Sequence, residues 1–379
     1  MTKTLNIAMI GGGFMGKAHA MAYATMPMFF WPAPARPRLK AIVDVTPDLA
    51  ETGRQRYGFD EASTDWRSVV ARQDIDVIDI VTGDAGHFEL TMQSLEAGKH
   101  TLVEKPVAHD FRDTLRARDL ARAKGLKTKV GFTFRYSPAI RYMKELIDDG
   151  FVGTPYIYNA YEQNSQWIKP ETPLRQVPAD TDPERIRVSS LEGYGAPVID
   201  LGHWFVGADL TSVVGVLRNF VPERVIRETG RLTRANIDDG DIFIGEFAGG
   251  PICSIQSSFV TVGNYPGIEV RLYGSEGALI ARLVEEFGVM ETLKSATPDE
   301  VEFREVEVPP RFFPPGGDVH EPWPRLYYSN LTANFVDEIL EGGDRNEGDF
   351  GDAAWVQEVI NAVERSHHTR SWVDLPLPR

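Results

Sequence analysis

Six residues, Gly11-Gly12-Gly13-Phe14-Met15-Gly16, constrain the fold of this chain more than any others. They carry G-x-G-x-x-G directly after an apolar run, Leu5–Ile10, and before a helical pattern that starts near Met15. In that context the glycines let the chain turn tightly, bring backbone N–H groups up to a pyrophosphate, and let a helix pack close to a strand. The N-terminus of that helix then faces the phosphates. A ligand-free glycine turn would show no such frame, and a second signal reinforces the binding reading. Asp44 closes the next β-branched run, Ala41-Ile42-Val43-Asp44-Val45. There a carboxylate accepts hydrogen bonds from the ribose hydroxyls and repels a 2′-phosphate, which favours NAD over NADP. Its distance from the glycines exceeds the usual spacing of about 20 residues. The proline- and aromatic-rich stretch Met26–Pro34, read as a non-helical insertion, accounts for the excess.

Short β-branched runs alternate with helical patterns through the first third of the chain, the signature of βαβ units and a parallel sheet. The expected strands are Leu5–Ile10, Lys40–Val45, Val77–Val81, Thr101–Val103 and Lys129–Phe134, and the expected helices are Thr64–Ala71, Phe88–Ala97 and Asp110–Ala123. From about Tyr156 the pattern changes to strands joined by tight turns, including Ile242–Phe247 with Ile252–Val260 and Gly267–Tyr273 with Ala278–Leu283, which read as an antiparallel sheet. Amphipathic helices are expected at Leu331–Leu340 and Ala353–Val363, and a proline-rich loop at Pro309–Pro324. The reading is an α/β protein: an N-terminal Rossmann domain over residues 1–134, and a C-terminal α/β domain with an open, mostly antiparallel sheet over residues 135–379, for substrate binding and oligomerisation. At 379 residues, two cores are expected in any case.

Composition narrows the partners. With 40 Lys plus Arg against 55 Asp plus Glu, the net charge of −15 repels phosphate backbones and anionic membranes, so nucleic acid is not an expected partner. No apolar run approaches the roughly 18 residues needed to span a bilayer. The lone Cys253 permits no internal disulfide and sits in an alternating strand pattern, which fits a buried small hydrophobe in a reducing, cytoplasmic setting. The start of the chain has no secretory pattern. The His367-His368 pair lacks ligand spacing, is expected to be solvent-exposed, and no metal site is expected.

At Glu104-Lys105-Pro106, taken with Gly11–Gly16, His19, Thr82, His87 and Ala97-Gly98-Lys99-His100, the chain resembles the Gfo/Idh/MocA oxidoreductases, the glucose-fructose oxidoreductase and inositol dehydrogenase group. The resemblance extends through Ile237-Asp238-Asp239, Tyr273–Gly277 and Trp372–Pro376, and within the family it points to the sugar dehydrogenases. It implies an NAD-dependent oxidoreductase that moves hydride between a sugar, sugar derivative or polyol hydroxyl and a nicotinamide, in a homodimer or homotetramer. It also implies that Lys105 lies beside the nicotinamide and the reacting hydroxyl, where an ammonium can stabilise alkoxide character. Motif and resemblance together place Gly11, Gly13, Phe14, Met15, Gly16, Asp44, Thr82, His87, Glu104 and Lys105 around the cofactor. Lys105, Arg135, Tyr194 and His203 are placed near the substrate.

One segment departs from the family pattern. Most members carry D-x-G-x-H at a helix start in the second domain, its histidine the base; here the region reads Leu191-Glu192-Gly193-Tyr194-Gly195-Ala196-Pro197, then Val198-Ile199-Asp200-Leu201-Gly202-His203. An ungapped register puts Pro197 at the histidine and removes the usual base. A compressed register would use Asp200 and His203, at the cost of deleting about two helical turns. In the preferred ungapped register Asp200 and His203 lie three residues apart, so both fit one helix face, with His203 a base oriented by Asp200 or, alternatively, a core histidine. Tyr194 and Glu192 are further acid–base candidates. Lys105, Asp200 and His203 are thus the catalytic set. A redox-neutral glycoside-processing use of NAD and a non-catalytic NAD-binding regulator remain as alternatives.

Overall fold

The computed structural model describes residues 3–173, 185–227, 229–264, 267–284, 290–313, 326–342 and 347–379. By compactness the chain divides into two units, Met1–Ser137 with Phe313–Trp355, and Pro138–Phe312 with Val356–Arg379. A single cut at 134/135 places residues 313–355 with the second domain, whereas they pack with the first unit.

The first unit is built on one sheet of six parallel strands: β1 (Lys3–Ile10), β2 (Ala35–Val43), β3 (Glu61–Ser63), β4 (Val77–Ile80), β5 (His100–Val103) and β6 (Thr128–Val130), in the order β3-β2-β1-β4-β5-β6. That is the doubly wound order, with its reversal between β1 and β4. All four residues of β4 are buried, as expected of a strand covered on both faces. The connections are α1 (Phe14–Phe29), α2 (Pro47–Tyr57), α3 (Trp66–Val70), α4 (His87–Glu96) and α5 (Phe111–Ala123). Their starts follow local chemistry. Thr46 and Asp110 cap α2 and α5 by accepting from Leu49 and Arg112 N–H, and Pro47 occupies the first turn of α2.

Two local expectations change. Residues 26–29 of the Met26–Pro34 stretch are helical: Pro27 sits in the last turn of α1, where one missing N–H costs a single bond, and Tyr23 and Met26 anchor that turn in the core. The strand that follows starts at Ala35 rather than Lys40. Pro37 is tolerated there because β3 pairs only with Ala41–Val43 of β2. Similarly, the run Lys129–Phe134 is strand only to Val130, and Thr133–Tyr136 form a tight helical turn. Gly131 accounts for the break. A Cβ on it would lie 2.5 Å from the Glu104 carboxylate, so only glycine passes this point.

The second unit carries α6 (Pro138–Asp148), α7 (Ala196–Val206) and a sheet made of β7 (Pro155–Gln163), β8 (Leu210–Arg218), β11 (Gly240–Phe247), β12 (Ile252–Ser258), β13 (Gly267–Gly274), β14 (Ala278–Val284), β15 (Met290–Ala296), β16 (Arg304–Glu305) and β17 (Val373–Asp374); β9 (Glu223–Val225) and β10 (Leu232–Arg234) form a separate ribbon. The order is β16-β15-β14-β13-β7-β12-β11-β8-β17, antiparallel except for the central β7–β12 pair. One face buries Tyr158, Leu217, Phe243, Ile255 and Val270. The other exposes Ile157, Val216, Ile242, Ile244 and Ile252.

Two helices close the chain. In the first unit, α8 (Leu326–Glu341) packs on α1 and sends Leu331, Phe335 and Val336 into the core that holds Ile7, Tyr23 and Met26. The division between units falls within α9 (Phe350–Thr369). On its second half His367 is buried, contrary to the exposed position expected, because its Nδ1 accepts the Leu217 N–H of β8. Burial, then Arg370, pushes its pKa down to about 4. Most of the proline-rich Pro309–Pro324 segment lies outside the described residues. No described helix is long and apolar enough to cross a membrane.

Candidate active site

The candidate site residues of the first unit stand at the carboxyl ends of its parallel strands. Gly11 follows β1, Asp44 follows β2, Thr82 comes just after β4, Glu104 and Lys105 follow β5, and Gly131 follows β6. That edge, at the reversal of strand order, is where doubly wound sheets bind ligands.

The glycine turn fits a dinucleotide pyrophosphate. Gly11 has φ +108°, and a Cβ on it would come within 2.7 Å of the Val81 carbonyl oxygen. Gly13 is the N-cap of α1 with no side-chain cap, and an added Cβ there would meet nothing within 4 Å, so the helix start has open space for an anion. The Gly12 N–H donates to Asp44 Oδ2 at 2.9 Å, and the Val45 N–H donates to Asp44 Oδ1 at 2.7 Å. Asp44 is therefore a fixed, half-buried carboxylate beside the turn, as a ribose acceptor must be. The Tyr57 hydroxyl, which the sequence alone did not single out, donates to the Gly12 carbonyl at 2.8 Å. Phe14 is exposed, whereas Met15 packs partly against the core.

The turn that bears Lys105 is held from both sides. His87 is buried, with Nδ1 2.7 Å from the Pro106 carbonyl and Nε2 3.2 Å from the Thr82 carbonyl, so its ring ties two loops together. The Thr82 hydroxyl itself donates to Gly83 O at 3.1 Å. On the other side Glu104 is buried and meets Nε2 of His19 at 3.1 Å, while Nδ1 of His19 lies 2.9 Å from Asp79 Oδ2. Burial alone would lower the His19 pKa, but Asp79 and then Glu104 overcome it and push it up to about 10. Glu104 is held below its ordinary value: burial opposes this, and His19, then Lys105 and His87, outweigh it. Lys105 is half-exposed. His19 entered the sequence reading only as part of a resemblance, and Asp79 not at all. A lone aspartate inside the apolar run Val77-Ile78-Asp79-Ile80 was the available signal. Arg135 is buried, and its Nη1 donates to Asp352 Oδ2 at 2.9 Å, an anchor within the same unit.

In the second unit a wide π-helical turn, Leu191–Gly195, leads into α7. Pro197 is buried in the first turn, where it costs no hydrogen bond. Glu192 is buried and accepts from Gln357 Nε2 at 2.9 Å. Tyr194 leans on Trp167 and Phe259, with its hydroxyl donating to Gln166 Oε1 at 3.3 Å. The turn hangs on Asp238, whose carboxylate accepts the N–H groups of Ser189, Ser190 and Leu191. Beside it, Asp241 accepts from the Ser257 hydroxyl. Burial, and then the Asp238 charge, raise the Asp241 pKa well above the usual carboxylate range, and burial lifts Asp238 to about 7. The pair therefore holds protons more tightly than ordinary carboxylates do. Asp200 is buried in the middle of α7; burial, then Cys253 and Asp200, raise the pKa of the Tyr158 phenol. His203 lies in the last turn of α7, half-exposed, and its Nε2 meets Asp209 Oδ1 at 3.0 Å. One partner of that imidazole, Asp209, therefore follows the helix. Cys253 is buried, and burial pushes its thiol up to about 12, as suits a core residue.

A parallel sheet of this order, with a glycine turn, an acidic residue after the second strand and a lysine after the fifth, defines a dinucleotide-binding protein. Residues 5–132 match the model of the GFO_IDH_MocA oxidoreductase family, NAD-binding Rossmann fold, and residues 140–280 match the GFO/IDH/MocA C-terminal domain. The chain belongs to the Gfo/Idh/MocA oxidoreductase family. It is 31% identical to the levoglucosan dehydrogenase of Pseudarthrobacter phenanthrenivorans over 99% of both chains. It is 26% identical to an inositol 2-dehydrogenase/D-chiro-inositol 3-dehydrogenase of Lactiplantibacillus plantarum, covering 72% of this chain and 70% of that one. Among solved structures, levoglucosan dehydrogenase in complex with NADH and levoglucosan superposes with a TM-score of 0.88 at 31% identity, over 99% of this chain and 100% of that one.

Proposed function

We propose that the protein oxidises a hydroxyl of a sugar, sugar derivative or polyol with NAD, using Lys105 to handle the proton. The observation that carries this reading is the gathering of the Gly11–Gly16 turn, Asp44, Thr82 and Lys105 at one edge of the sheet, where strand order reverses. The Gly11–Gly16 turn and the start of α1 hold the pyrophosphate, and the Asp44 carboxylate accepts from the ribose hydroxyls. Bound NAD supplies the hydride acceptor. As the C–H bond of the substrate carbinol breaks, the neutral Lys105 amine takes the hydroxyl proton, becomes an ammonium and passes that proton to solvent. The products are a ketone and NADH. Met15 contributes to the close packing of α1, and His87 holds the Lys105 turn through Pro106. The likeness to dehydrogenases that act on levoglucosan and inositols supports a cyclic polyol as substrate.

In the second unit Tyr194 forms an aromatic cluster with Trp167 and Phe259. Glu192 is the acid–base candidate of the π-turn, Asp200 a buried support of α7, Arg135 an anchor, and His203 an imidazole at the end of α7. The exposed apolar face of the second unit's sheet is the surface through which copies associate, and the lone buried thiol of Cys253 suits a reducing cytoplasm. Purified protein incubated with NAD and a panel of anhydrosugars, aldoses and inositols tests the function. Steady NADH formation with one member is expected. Product without NADH accumulation would mean redox-neutral chemistry, and NAD binding with no product from any member would mean a regulator.

A further inference from the structure

Among the buried ionisable groups of the first unit, one chain of contacts ends at Glu104, the residue before Lys105. It begins at Asp79, in the middle strand of the sheet and fully buried, runs through both ring nitrogens of His19 on α1, and reaches Oε1 of Glu104 at 3.1 Å. Glu104 immediately precedes Lys105, and its carboxylate packs so close to Gly131 that a Cβ there would lie 2.5 Å from it. A buried carboxylate facing another buried carboxylate is costly unless a cation separates them, and His19 stands in that place. The other groups facing this chain, among the described residues, are the Tyr23 phenol beside Asp79, the Tyr328 ring of α8, 5.4 Å from the His19 ring, and His87 of α4 near Glu104.

We propose that His19, backed by Asp79, is a positioning residue for Lys105: it keeps Glu104 ionised and fixed, and that anion sets the charge state of the neighbouring lysine. Replacing the imidazole leaves Asp79 and Glu104 without their shared cation. Glu104 then takes up a proton, and Lys105 loses the negative neighbour that favours its ammonium. The raised pKa of His19 agrees with this arrangement, since an imidazolium between two carboxylates stays charged through neutral pH. The idea rests on the role given to Lys105 above, but its test reads the lysine directly.

The experiment is pH-resolved acetylation of Lys105 in the whole protein with acetic anhydride, followed by mass spectrometry. In His19→Gln and in Glu104→Gln the midpoint should fall by about one unit, roughly tenfold more free amine near neutral pH. Asp79→Asn should move it in the same direction by less. The limb of the kcat profile that follows Lys105 should move to lower pH by the same amount, whereas a purely structural loss lowers kcat without moving it. Should His19→Gln fail to fold, Glu104→Gln carries the test, and nitrogen NMR of the wild-type His19 ring should show an imidazolium at pH values well above 6.5, up to about 10. Midpoints within a few tenths of the wild type in both variants, or a neutral His19 ring at mildly alkaline pH, would overturn the proposal. A shifted midpoint with no NADH from any sugar would leave the relay standing and remove the function proposed for Lys105.

Discussion

At the scale of single residues, the contacts of Asp44 and Lys105 lead to separate expectations. Asp44 is locked by the N–H groups of Gly12 and Val45, and on the proposed reading its carboxylate would meet a ribose and repel a 2′-phosphate. NAD should bind more tightly than NADP by at least about tenfold, roughly 1.4 kcal/mol, and Asp44→Ala should narrow that gap. Titration calorimetry with both cofactors measures this, and equal affinities in the intact protein would remove Asp44 from the ribose. Lys105 is half-exposed on a turn clamped by His19 and His87 through its neighbours, so its own side chain can be changed without loosening the fold. Lys105→Ala should lower turnover by roughly a hundredfold or more while NAD affinity stays within a few-fold. Lys105→Arg should not restore turnover, because a guanidinium does not give up its proton in this range. Undiminished kcat in the alanine variant would place the proton transfer elsewhere.

At the scale of elements, α7 and the turn before it are set by groups distant in sequence. The Asp238–Asp241 pair holds the turn, and because folding raises both pKa values above the ordinary carboxylate value, the folded state binds a proton that the unfolded chain has released. The stability this supplies is present below about pH 4 and is lost as pH rises toward about 7. Asp241→Asn removes one of the two raised acids. Relative to the wild type, the variant should therefore gain thermal stability steadily between these pH values. A constant difference in Tm across that window would contradict the raised pKa values. At the other end of α7, His203 lies in the last turn with its Nε2 3.0 Å from Asp209 Oδ1. His203→Asn should cost at most about 1 kcal/mol in denaturant melts and leave the shape of the pH–rate profile intact. Loss of a limb near the ordinary histidine pKa would return His203 to the chemistry.

At the scale of the whole molecule, the second unit's sheet leaves Ile157, Val216, Ile242, Ile244 and Ile252 in solvent on adjacent strands. Isolated exposed apolar residues are ordinary, but five side by side on one sheet face are not. A charge placed among them should release the copies: Ile244→Glu is expected to elute from gel filtration as a smaller species with its NAD affinity kept. A wild-type monomer would defeat that expectation. The parts of the molecule that were legible beforehand were those in which neighbouring residues state their own requirement. The glycine turn, the carboxylate after the second strand, the alternation of βαβ units and the hairpins of the second sheet all have periods or spacings of a few residues, and such local signals survive without a fold. What stayed hidden depends on residues far apart in the chain. Nothing near Asp79 announces His19, nothing near Arg135 announces Asp352, and His367 is hidden by β8 rather than by its own surroundings. The sequence alone determined the nucleotide-binding half, the carboxylate after its second strand and the lysine at its edge, because backbone approach and charge are written in adjacent residues. Only the tertiary structure decided that His19 bridges two buried carboxylates, that residues 313–355 return to the first unit, and that the imidazole of His203 meets Asp209, because burial and pairing arise when distant segments meet.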